Sequence, residues 1–246
     1  MIRLFPKCKA YLTAGCALMF MVAAALYKDV MKWYWALLVF VLGCALVFFL
    51  VSCMAYKLHG RLLSVLYVSM KPRDFLSFYA KLTDADGLRD NVRFTMKGYL
   101  CDAYIAAGEF KKALSVIDSL PEISGRNRRK AAAIAAAKRC GIALYTGDAS
   151  GAEQQLSLFP ELPGRELLDV RLSILKGEST ERDADTVREA LKAKLAPLQK
   201  TELWFFYGCI YELLGNTEFS RSYFSDVAKA DRQLFVANKA VEKLKQ

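Results

Sequence analysis

The sequence predicts an all-α chain: a transmembrane helical hairpin, then a stack of about four helix pairs. Three observations carry this. Two long uncharged apolar runs stand near the start, "AYLTAGCALMFMVAAALY" and "WYWALLVFVLGCALVFFLVSCMAY". Beyond them, turns built on glycine recur every 30 to 39 residues, at Gly108, Gly147, Gly177 and Gly215. Between those turns apolar residues recur at the helical period, and the every-second-residue alternation of a half-buried strand is missing.

The hairpin occupies 1–56, with spans at about 10–27 and 33–56. An apolar run of roughly 18 residues is enough to cross a hydrocarbon core about 30 Å thick. A single continuous helix through both runs would hold Lys28, Asp29 and Lys32 near the middle of the bilayer. Each charge there costs roughly 2.5–3.5 kcal/mol, so two spans joined by a tight outer turn are favoured. A cleavable signal peptide is the alternative for the first run, which has a basic start and alanines at Ala23 to Ala25. Arg3, Lys7 and Lys9 precede the first span, and Lys57, Arg61, Lys71 and Arg73 follow the second. Only Lys28 and Lys32 lie in the outer turn, so the positive-inside bias places both ends in the cytoplasm. Trp33, Tyr34 and Trp35 open the second span as an interfacial belt. The expected location is an integral one, in a bacterial plasma membrane, since the chain is compact and carries no eukaryotic retention signal.

A juxtamembrane helix or linker follows over 57–72, and a helical repeat domain over 73–246. Pro72 suits the first turn of a helix, where its missing N–H costs nothing. In "PRDFLSFYAKL", Phe75, Leu76, Tyr79 and Leu82 form an apolar stripe, and "TDADG" ends the helix. The last segment, "DRQLFVANKAVEKLKQ", sets Leu234, Ala237, Val241 and Leu244 on one face, as a terminal capping helix requires.

The best-defined unit is "WFFYGCIYELLGN" with the helix after it. Trp204, Tyr207, Gly208 and Tyr211 match the first-helix positions of the tetratricopeptide pattern, and Ser220, Phe224 and Val227 match the second. The unit around Gly108 fits through Leu100, Cys101 and Tyr104, then Ala113, Ile117 and Leu120, with Lys97 in place of tryptophan. The Gly147 and Gly177 units keep period and turn. From about Arg73 onward the chain therefore resembles the tetratricopeptide-repeat (TPR-like) α-solenoid family. That resemblance implies a concave groove that binds a protein or peptide. It also implies that Asp102, Phe205 and Glu212 point into the groove.

Signals of chemistry are sparse. No phosphate-binding loop, nucleophile elbow or zinc-protease motif occurs. His59, the one histidine, is expected to be solvated just past the second span. The seven cysteines form no C-x-x-C pair, so neither a disulfide framework nor a zinc knuckle is suggested, and packing is the expected role. Two D-A-D triplets, Asp84 to Asp86 and Asp183 to Asp185, fall at helix ends and read as caps or turns. The sharpest charge feature is "RNRRK", with Arg126, Arg128, Arg129 and Lys130, followed by Lys138 and Arg139. It suits anionic lipid headgroups or an acidic partner, or is simply solvated; no motif for nucleic acid accompanies it. Of the formal charge of +10, the first 56 residues carry five basic and one acidic side chain, which topology explains.

The expectation is thus a membrane-anchored scaffold or adaptor with no enzymatic activity, cofactor or metal, recruiting a protein or peptide at the cytoplasmic face. An accessory subunit of a membrane enzyme or transporter, or a structural oligomer organiser, is the alternative. Against the former, neither span carries an ionisable residue that intramembrane chemistry would use. For the latter, Ala10 and Ala14 give one small-xxx-small pair.

Overall fold

The computed structural model describes residues 5–29, 32–83 and 88–246. Among the described residues there are helices and no strands. Arg3 and the triplet Asp84 to Asp86 lie outside the described residues. The chain divides into two compact units, Met1–Leu63 with Asp84–Leu88, and Ser64–Thr83 with Arg89–Gln246.

The first unit holds α1 (Pro6–Asp29) and most of α2 (Trp33–Tyr67). Both helices are long and apolar enough to cross a membrane. Large apolar side chains point outward along them, among them Phe20 at 63% exposure and Phe49 at 62%. Such surface is unfavourable in water at roughly 25 cal/mol per Å² and neutral in lipid. The two helices meet through Cys8, Val51 and Ala55, which are buried, with Phe5, Leu12 and Val47 around them. A Cβ added at Gly15 would lie 2.5 Å from Val47, and one at Gly43 would lie 2.5 Å from Met19. These glycines admit the close approach. Ala10 and Ala14 are exposed. His59 is buried, not solvated as expected, at 6% exposure.

No linker interrupts α2 after Tyr56; it runs unbroken to Tyr67 and its last turn belongs to the second unit. α3 (Pro72–Thr83) starts at the expected proline. Its stripe is buried at Phe75 and Tyr79, whose rings stack 4.4 Å apart. Four antiparallel pairs follow: α4 (Asp90–Ala106) with α5 (Phe110–Asp118), α6 (Arg128–Thr146) with α7 (Ala149–Leu158), α8 (Arg165–Lys176) with α9 (Glu181–Leu191), and α10 (Pro197–Leu213) with α11 (Thr217–Ala228). The final helix is α12 (Phe235–Leu244).

Each pair turns where the sequence put a glycine. Gly147 closes α6 at φ 83°, a left-handed conformation that costs any other L-residue about 1–2 kcal/mol. Starts are capped by side chains: Asp148 accepts from Gly151 N–H at 2.9 Å, and Asn216 from Phe219 N–H. Asp183 of the second D-A-D triplet closes a capping box with Thr180. Its role is structural.

Three cores join successive pairs. Cys101, Ala113, Ile117 and Ile142 link α4, α5 and α6. Ala136, Cys140, Leu144, Ala152, Leu156, Leu162 and Leu168 link α6, α7 and α8. Val170, Ala184, Val187, Leu203, Phe206, Tyr207 and Ile210 link α8, α9 and α10. In the best-defined unit, Gly208 faces the ring of Phe224 on α11. Trp204, one turn before Gly208, is half-buried, and the Lys200 ammonium lies 4.7 Å from its ring centre.

The C-terminal helix departs from a simple end cap. α12 packs on α11 and α10 but also on α4. Phe235 sits against Gly108 and forms an aromatic cluster with Phe110 and Tyr145. Gln233 accepts from Arg73 N–H at 3.0 Å, 160 residues away in sequence. Val241, expected on the buried face, is 38% exposed, because Val236, Ala237 and Ala240 make that face instead.

Gly208→Ala tests the close approach. Its Cβ would stand 2.8 Å from Phe224, so overpacking outweighs the gain in helix propensity of roughly 1 kcal/mol. A net loss of about 1–2 kcal/mol is expected in denaturant melts of the detergent-solubilised chain, partly restored by Phe224→Leu.

Candidate functional site

One helix of each pair lines a common cavity in the second unit. It measures about 350 Å³ and is bounded by side chains from the end of α2 and from α4, α6, α8 and α10. Four charged residues face it: Asp102, Lys138, Arg171 and Glu202. A groove with four charges is unusual for a helical core, because burying an ion costs several kcal/mol unless it is compensated.

Three of the four are compensated by the protein. The Lys138 ammonium pairs with Asp102 and donates to the Gly98 carbonyl at 3.2 Å. Asp102 accepts a second bond from the Tyr67 hydroxyl at 2.9 Å. Burial works against the charge on Lys138, but Asp102 outweighs it through charge and hydrogen bond, and the pKa of the ammonium lies above its ordinary value. Arg171 lies over the neighbouring rings of Tyr145 and Phe206, 4.2 and 4.6 Å from their centres, and donates from Nη2 to the Gly141 carbonyl at 3.1 Å. Its Nε is buried without a hydrogen-bond acceptor, so the guanidinium is held mainly by ring faces.

Glu202 differs. Among the described residues no hydrogen bond or ion pair reaches its carboxylate, although it lines the cavity. Burial pushes its pKa up to about 7; Arg171 and Lys138 pull it down and Asp102 raises it further. A carboxyl group that changes charge near neutral pH in a cleft is a mark of a functional site.

The expected groove residues divide. Asp102 lines the cavity. Phe205 and Glu212 do not: Phe205 packs against Phe206 and Phe224, and Glu212 pairs with Lys243 of α12 at 2.8 Å. The groove face of α10 is Leu198, Gln199 and Glu202, and successive helical residues are rotated by about 100°. Phe205 and Glu212 are turned toward α11 and α12 instead. Sequence reasoning missed Lys138, Arg171 and Glu202. The signal was a charged residue inside an otherwise apolar helix, as in "AAAIAAAKRCGIALY" and "PLQKTELWFFYG".

The basic run lies apart. Arg126, Arg128, Arg129 and Lys130 are all exposed where α6 begins. Arg129 meets Glu161 at 3.2 Å, a pair so exposed that it contributes little. Asn127 makes no side-chain cap and the first turn holds no acid, so the positive charge is unrelieved. Lys138 turns away from this run into the groove, and Arg139 pairs with Asp118 at 2.8 Å.

The cysteines of the second unit are buried at Cys101, Cys140 and Cys209. Burial raises all three thiols, Cys101 and Cys209 to about 12, which keeps them protonated and unreactive. Searches of protein-family models, of curated proteins and of solved structures find no match to this chain.

Stability should report on Glu202. Its folded pKa is about 7, above the ordinary value of 4.5, so the fold holds a proton that the unfolded chain gives up. Stability therefore falls as pH rises from about 4.5 to 7 and is level above that. Glu202→Gln removes the loss. The variant should gain roughly 2 kcal/mol over wild type at pH 8, after allowing for partial solvent contact, and little at pH 4. Melting both proteins in detergent across this range checks it.

Proposed function

We propose that this chain is a membrane-anchored scaffold of tetratricopeptide type whose groove binds a peptide or protein partner at the cytoplasmic face. The observation that carries the reading is the groove itself. One helix from each of four consecutive pairs contributes to it, and its walls combine apolar surface with fixed charges. Binding sites take this form: concave, partly apolar, with a few placed polar groups. Recruitment would be the mechanism. Two apolar helices hold the groove at a membrane, which raises the effective concentration of a partner confined to the same surface.

The tetratricopeptide assignment draws on Gly208 and Phe224, which stand in contact as the pattern requires. The cytoplasmic orientation draws on the distribution of Lys and Arg around the spans. The exposed run at Arg126, Arg128, Arg129 and Lys130 would meet anionic headgroups or an acidic surface of the partner.

A photo-crosslinking residue in place of Gln199, inside the groove, should join a discrete partner in intact cells. The same residue in place of Ser225, which is exposed on α11, should not. Equal crosslinking from both sites would end the reading. Topology needs an introduced thiol, because Cys209 is buried. Ser225→Cys should react with a membrane-impermeant maleimide only after the cells are opened, and labelling of intact cells would reverse the orientation.

A further inference from the structure

Polar groups drawn away from water into a cleft usually find a partner, and one that does not calls for an explanation. The groove offers a sharp one. Asp102 has Lys138 and Tyr67, Lys138 has Asp102 and the Gly98 carbonyl, and Arg171 has the Gly141 carbonyl and two aromatic rings. Among the described residues the Glu202 carboxylate has neither a hydrogen bond nor an ion pair, yet it faces a cavity large enough to hold a side chain. Glu202 is thus an acceptor left open to the cavity, whereas the unpartnered Nε of Arg171 is buried.

The surroundings indicate what kind of donor. Around Glu202 stand Tyr67 from the end of α2, Asp102 from α4, Lys138 and Tyr145 from α6, and Arg171 from α8. The charge of Lys138 is cancelled by Asp102 in direct contact. Arg171 rests on two adjacent rings whose faces offset part of its charge, and no carboxylate lies within ion-pair distance of it among the described residues. The charged groups of the other helices packed on α10 are engaged away from the groove. Arg188 of α9 donates to Tyr207, Tyr223 of α11 packs on Tyr207 and Tyr211, and Lys243 of α12 pairs with Glu212. An incoming anion would meet the carboxylates of Glu202 and Asp102, and Arg171, the one cation of the groove without a carboxylate partner among the described residues, has its unpartnered Nε buried out of reach. An incoming ammonium or guanidinium would meet an acceptor that the protein leaves open.

We propose that Glu202 is the specificity-determining residue of the groove, and that it receives a lysine or arginine side chain of the bound peptide. The inference rests on the peptide-binding reading above and adds the chemistry of one anchor. A charge-assisted hydrogen bond in a partly desolvated cleft is the stronger kind, about twice a neutral one. The apolar stem of lysine or arginine would lie along Ile105, Ile134 and Leu198, which line the same cavity. Because the cation binds the ionised carboxylate, occupancy and the loss of a proton from Glu202 are linked. With the carboxyl titrating near pH 7, roughly a tenth of it is ionised at pH 6 and nine-tenths at pH 8. Binding should therefore weaken about tenfold from pH 8 to pH 6.

The test uses the full chain in phosphatidylcholine nanodiscs, which are zwitterionic and do not themselves collect basic peptides. Pools of end-capped heptapeptides, free of histidine, carry a central position fixed as Lys, Arg, acetyl-lysine, norleucine or Glu. The Lys and Arg pools should be retained at least several-fold better than the acetyl-lysine and norleucine pools, and the Glu pool least. Retention should fall about tenfold at pH 6. Glu202→Gln should erase both the preference and the pH dependence, whereas Glu202→Asp, which keeps the charge, should preserve the preference. If acetyl-lysine is held as well as lysine, or if Glu202→Gln leaves the pH profile unchanged, the inference is wrong. Equal binding of all pools would overturn it while leaving the peptide groove standing. Binding of no pool at all would remove both.

Discussion

The helical unit depends on how closely paired helices approach. At two of these contacts a small side chain faces a larger one or a backbone: Gly208 meets the Phe224 ring, and the Cys140 thiol lies 3.7 Å from the Ala152 carbonyl. Cys101 shares its core with Ala113. Adding a methyl group at such a place forces neighbouring atoms apart, because protein interiors are packed as densely as organic crystals. Close pairing also fixes which faces remain for other work. Once α5, α7, α9 and α11 cover one side of their partners, the other side of α4, α6, α8 and α10 is left to line the groove.

That groove carries charge where a helical protein ordinarily carries leucine. Lys138 and Asp102 stabilise each other, and burial raises the cost of leaving either alone. Arg171 uses aromatic faces in place of a carboxylate. The protein therefore tolerates three ions through contacts within its own walls and leaves Glu202 without one. The fold alone gives no reason to retain that carboxyl group, since a neutral side chain of similar size would be less costly there.

Much of the architecture was legible in the sequence. The two apolar helices, Pro72 at a helix start, the turns at Gly108, Gly147, Gly177 and Gly215, and the packed cysteines Cys101, Cys140 and Cys209 all follow from local chemistry. A left-handed glycine or a proline at the first turn needs no knowledge of the rest of the chain. The groove was less legible, because it depends on helix rotation. One residue moves a side chain by about 100°, which is why, of the three residues expected in the groove, Asp102 lines the cavity while Phe205 and Glu212 do not. His59 was misjudged for a related reason: its burial depends on three-dimensional surroundings that its neighbours in sequence do not reveal.

The return of α12 to α4 changes how the chain must reach its native state. In an open stack, units can form in succession as they leave the ribosome, each resting on the one before. Here Phe235 covers Gly108, and Gln233 holds Arg73, so the earliest helices of the unit lack part of their packing until residues up to 160 positions later have been synthesised. Contacts so distant in sequence slow folding and leave apolar surface exposed meanwhile. A late helix thus completes the first layer of this unit.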